Sequence, residues 1–84
     1  MEKLLDRLED IGFADTQLFN SIDPTGGVDV LLRLHYLKYI VQISLKTYFF
    51  VLSTSDSIPL YSTNLLTTNV EEIIQNIQKN ISEK

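Results

Sequence analysis

The chain has 84 residues, 44% hydrophobic and 21% charged, a length that predicts one domain spanning 1–84 and a composition far from the disordered corner. It contains no cysteine, which excludes disulfide staples, thiolate metal sites and a cysteine nucleophile and fits a cytoplasmic setting. Seven Lys+Arg stand against 11 Asp+Glu for a net charge of -4, the wrong field for a protein that coats nucleic acid.

Residues 1–10 carry six charges and no apolar run, so they read as a mature N-terminus without a secretory signal. Leu4, Leu5, Leu8 and Ile11 recur at helical spacing, with Glu2, Lys3, Asp6, Arg7, Glu9 and Asp10 on the remaining positions. That pattern predicts an amphipathic helix ending near residue 11. Gly12 is suited to the left-handed residue that closes it, and Phe13 to folding back on the last turn. Residues 14–23 fit no period and allow a short strand or a packed loop. The run Asp23-Pro24-Thr25-Gly26-Gly27 is a break.

Beyond it, Val28, Val30, Leu32, Leu34 and Tyr36 form one apolar row, as a strand buried on one face requires. The parity then flips to Tyr39, Val41, Ile43 and Leu45, as a hairpin requires. A turn at Leu37-Lys38 sets Tyr36 against Tyr39, Leu34 against Val41 and Leu32 against Ile43, and brings Asp29 opposite Lys46. Leu-Lys is poor chemistry for a tight turn, so a longer loop with the pairing shifted by two residues is the alternative. A helical threading of Val28, Leu31, Leu32, His35, Tyr39 and Ile43 competes, but β-branched and aromatic content favours strands. A third strand carries Tyr48, Phe50 and Leu52 on one side and Phe49 and Val51 on the other. Residues 59–67 read as a connection with a short edge strand near Leu60-Tyr61. Thr68-Asn69-Val70-Glu71 has capping-box spacing. It opens a last helix striped by Val70, Ile73, Ile74, Ile77 and Ile81, with Glu71 and Glu72 at its positive end and Lys79 and Lys84 at the other.

The predicted fold class is therefore α+β: helix, three-stranded antiparallel meander, helix, with both helices packed on one sheet face. The opposite face would display Leu31, Arg33, His35, Ile40, Gln42, Ser44, Phe49 and Val51. This mixture is too apolar for an ordinary wet surface, unless residues 14–22 or 58–67 fold across it. Such a face points to binding another protein, or a second copy of the chain as a homodimer. Acidity is concentrated in residues 1–25, where Asp6, Glu9, Asp10, Asp15 and Asp23 suit a basic partner such as the nucleic-acid groove of an enzyme.

Chemistry finds little support. Asp6, Glu9 and Asp10 have helical ligand spacing, but acidic helix faces give it routinely and no metal is expected. His35 is the one histidine, and no base–nucleophile pattern surrounds it. Thr25-Gly26-Gly27 lacks the lysine and helix of a phosphate loop. Asn80-Ile81-Ser82 matches a glycosylation sequon by chance. The apolar stretch 28–52 is interrupted by Asp29, Arg33, His35, Lys38, Gln42 and Lys46, so no membrane span is expected. Tyr39, Tyr48 and Phe49 with Arg33, Lys38 and Lys46 could stack single-stranded nucleic acid, but three bases are few and two tyrosines belong to the core rows. The expectation is a cofactor-free, non-enzymatic binding protein. The compact, acidic, Ile-, Leu-, Asn- and Lys-rich chain has the style of a phage or mobile-element accessory protein. Its expected mode of action is to inhibit a host nucleic-acid-processing protein by occupying its surface.

Overall fold

The computed structural model describes residues 2–22 and 24–81. Its elements run α1 (Glu2–Asp10), β1 (Ala14–Ile22), β2 (Val28–Tyr36), β3 (Tyr39–Ser44), β4 (Phe49–Thr54), β5 (Pro59–Asn64) and α2 (Val70–Ile81). The sheet is antiparallel with five strands in sequential order β1-β2-β3-β4-β5. The expected α+β class and the two helices hold, while the three-stranded meander is too coarse. Residues 14–22, open between strand and loop in the sequence, form β1. The short edge strand near Leu60-Tyr61 lengthens to β5.

α1 ends as its sequence dictates. The Phe13 N–H donates to the Leu8 carbonyl at 2.9 Å and the Gly12 N–H to Glu9 at 3.0 Å, with Gly12 at φ 115°; this is a Schellman closure. It drops Phe13 onto Leu8, both fully buried.

The β2–β3 register is the one the parity switch implies: Tyr36 pairs with Tyr39, Leu34 with Val41 and Leu32 with Ile43. The two-residue turn is tolerated because Leu37 adopts φ 54°, a left-handed state that costs a leucine about 1–2 kcal/mol. The register runs on past β3, with the Leu45 N–H on the Val30 carbonyl at 2.9 Å, and Ser44 bonds the Asp29 carboxylate at this end of the hairpin. The Ser44 hydroxyl donates to both Asp29 oxygens at 2.8 and 3.0 Å. The same Oγ accepts from the N–H groups of Lys46 and Thr47 at 3.3 and 3.1 Å.

Tyr48 departs from the core row assigned to it. It sits before β4 with φ 59° and is 41% exposed, because the β3–β4 turn closes with its N–H on the Ser44 carbonyl at 2.9 Å. The cap of α2 also moves by one residue. Asn69 Oδ1 accepts from the Glu72 N–H at 2.8 Å, while the Thr68 hydroxyl is bonded to that of Thr63.

One apolar core results. Leu32 and Leu34 of β2, Tyr39, Val41 and Ile43 of β3, and Phe50 and Leu52 of β4 all lie on one sheet face. Leu4, Leu8, Phe13, Ile73, Ile74 and Ile77 cover them. Arg7 joins the two helices through Glu71, with Nε–Oε2 at 3.0 Å and Nη2–Oε1 at 3.2 Å. No helix among the described residues is long and apolar enough to cross a membrane.

Candidate interaction face

Because side chains alternate across a strand, burying the Leu32, Val41 and Phe50 rows turns the residues between them to the other side. The register aligns these in transverse rows. Gln17, Arg33, Gln42, Val51 and Ser62 form one; His35, Ile40 and Ser53 form the next. Phe19, Leu31 and Ser44 make a third on one flank, and Phe49 stands beside Asn64 on the other. Leu31, Arg33, His35, Ile40, Gln42, Phe49 and Val51, each named from the sequence as a face residue, thus share one side of the sheet. The segments 14–22 and 58–67 do not cross that side: β1 and β5 extend the sheet at its two edges.

Arg33 lies near the centre and is held in place. Its Nε and Nη2 donate to Gln42 Oε1 at 3.3 and 2.9 Å, and its guanidinium carbon lies 4.4 Å from the centroid of the Phe19 ring. The planar cation is therefore anchored along one edge and stacked on one face, which reduces the entropy lost when a partner engages it. Around it stand apolar groups without full cover; Phe19 is 36% and Phe49 45% exposed. Phe19, Gln17, Ser62 and Asn64 are additions that the sequence did not disclose. Their membership follows from pairing register alone, and neither edge strand carries a periodic apolar row.

The other candidates separate. Among the described residues no three of His, Asp and Glu gather as metal ligands, and Asp10 instead meets Arg7 Nη1 at 3.4 Å. Asp6, Glu9 and Asp10 are exposed on α1 and Asp15 on β1, whereas Asp23 lies outside the described residues, as does Lys84. His35 stands in the second transverse row of the face, paired with Ile40. The aromatic platform weighed for nucleic acid is dispersed. Tyr39 is buried on the helix side, and Tyr48 lines a cavity of about 200 Å³ with Leu4, Leu65 and Ile73, a volume below the usual range for small-molecule sites. No known protein family, characterised protein or solved structure matches the chain.

Proposed function

We propose that this chain is a small non-enzymatic binding module whose uncovered sheet face occupies a surface of a larger protein. The observation that carries the reading is Arg33, fixed by Gln42 and stacked on Phe19, set among Leu31, Ile40, Phe49 and Val51. A held arginine among half-exposed aromatics is the composition of interface hot spots, where a few such side chains supply most of the affinity. The acids of α1 extend the reading to a partner with a basic surface. A host nucleic-acid-processing protein blocked by a phage or mobile-element accessory protein fits that charge pattern.

The test begins with capture and identification of a partner by the tagged chain, followed by titration of purified variants. Phe49→Asp is expected to weaken binding at least about 100-fold, equivalent to about 2.7 kcal/mol, with the circular dichroism spectrum of the fold retained. Asp6→Asn with Glu9→Gln should slow association and flatten its salt dependence while leaving dissociation nearly unchanged. Unchanged affinity in Phe49→Asp overturns the face as the binding surface. Salt-sensitive binding of single-stranded DNA or RNA, lost in the same variant, would replace the protein partner with a nucleic acid.

A further inference from the structure

The two edges of the sheet are built differently. β5 is short, opens with Pro59 and is kinked where Leu60 is inserted between the pairs Leu52–Tyr61 and Ser53–Pro59, all devices that discourage strand addition. β1 has its irregularity at the start only, where Asp15 takes φ 59° and the register shifts between Ala14 and Gln17. From Gln17 to Ile22 it is regular and contains no charge.

Its free edge can be assigned residue by residue. The Leu45 N–H donates to the Val30 carbonyl at 2.9 Å, so even-numbered β2 residues turn their peptide groups toward β3 and odd-numbered ones toward β1. Gln17, Phe19 and Ser21 face Arg33, Leu31 and Asp29 and bond to β2. The N–H and C=O groups of Leu18, Asn20 and Ile22 therefore point off the sheet. The side chains of Leu18 and Ile22 emerge on the helix side, since Leu18 pairs with Leu32 and Ile22 with Val28, but the helices do not reach them. Leu18 is 65%, Ile22 78% and Val28 64% exposed.

We infer that β1 pairs antiparallel with β1 of a second copy, about a two-fold axis through Asn20. In that register Asn20 meets its own counterpart, while Leu18 and Ile22 each meet the other residue of the second copy. All three are outward-facing positions, so each pair exchanges both its backbone bonds. The apolar-polar-apolar order of Leu18, Asn20 and Ile22 reads the same from either direction. Each exposed aliphatic group therefore covers another and no polar group is buried against one. Charge does not oppose this register: the regular stretch from Gln17 to Ile22 contains no charged residue, so no like charges stand directly opposite each other along it. Phe19 falls opposite Ser21 of the second copy, so the interaction faces join into one surface. The seam is an edge and not that face, so it stands independently of the proposed function.

The test is sedimentation of the full chain over a wide concentration range, with single-cysteine cross-linking. A short seam belongs to the small-interface class, so the wild type should shift from monomer toward dimer as concentration rises. Asn20→Pro removes an outward donor without touching the β2 pairing, and Ile22→Lys alters an exposed side chain; each should weaken association at least tenfold. Phe49→Asp should leave it unchanged. Since the chain has no cysteine, Asn20→Cys should give a covalent dimer on mild oxidation, under conditions where Ser62→Cys on β5 stays monomeric. The inference is overturned by a wild type that stays monomeric at millimolar concentration. It is equally overturned by association that survives Asn20→Pro and Ile22→Lys, or that is lost in Phe49→Asp alone.

Discussion

At Gly12 the backbone and the core make one demand between them. Its φ of 115° lies outside what an L side chain adopts comfortably, and a Cβ placed there would come within 2.5 Å of the Tyr36 ring. That ring leans on Phe13 with centroids 5.5 Å apart, so moving it disturbs the contact that closes α1. Gly26 offers an internal comparison, with φ 89° and open space around the missing Cβ. Gly12→Ala is therefore expected to cost roughly 2–4 kcal/mol, strain plus displacement, and Gly26→Ala only the strain, about 1–2 kcal/mol. Urea unfolding of the two variants checks the difference; equal losses would mean that the Tyr36 ring yields freely. Gly12 and Phe13 were legible in the sequence because a helix stop is local: the residues that end the turn are the ones that satisfy it.

The start of α2 shows an element whose existence was legible and whose boundary was not. Threonine and asparagine both stand three residues before a glutamate, Thr68 before Glu71 and Asn69 before Glu72, so the local code permits either cap. Packing decides it: seating Ile73, Ile74 and Ile77 in the core places Val70 first in the helix and leaves Asn69 to bond the Glu72 N–H. Glu71 turns to Arg7. Asn69→Ala should lower stability by about 1 kcal/mol, and Thr68→Val should leave the helix start intact. Thermal unfolding followed at a helix-sensitive wavelength distinguishes the two. The strands divide for a related reason. β2, β3 and β4 announce themselves because the helices bury alternate residues, whereas the distal half of β1 has no element over it. Leu18, Phe19 and Ile22 consequently carry no alternation to read. Tyr48 marks the opposite failure, a row extended one residue into a turn whose left-handed backbone no parity rule foresees.

Across the whole molecule, the arrangement that frees one sheet face is the one that gathers both helices on the other, and the ion pair between them is its only direct polar tie among the described side chains. The hydrogen bonds from Arg7, together with its charge, hold the Glu71 carboxyl below its ordinary range. A carboxylate depressed in the folded state adds stability above its unfolded pKa, near 4.3, and that contribution disappears as pH falls through the folded value. Both partners are solvated, so the effect is small and salt-screened. Glu71→Gln should be slightly less stable than wild type at neutral pH and low salt. The gap should close as pH drops below about 4 and should also close in about 1 M salt. Urea midpoints across a pH series measure it, and a gap that persists in acid would assign the loss to packing instead. Partner binding offers a separate readout. The pair lies on the helix side and Arg33 on the other, so the dissociation rate of the partner should be unchanged in Glu71→Gln, any effect being confined to association; faster dissociation there would move recognition to the helices.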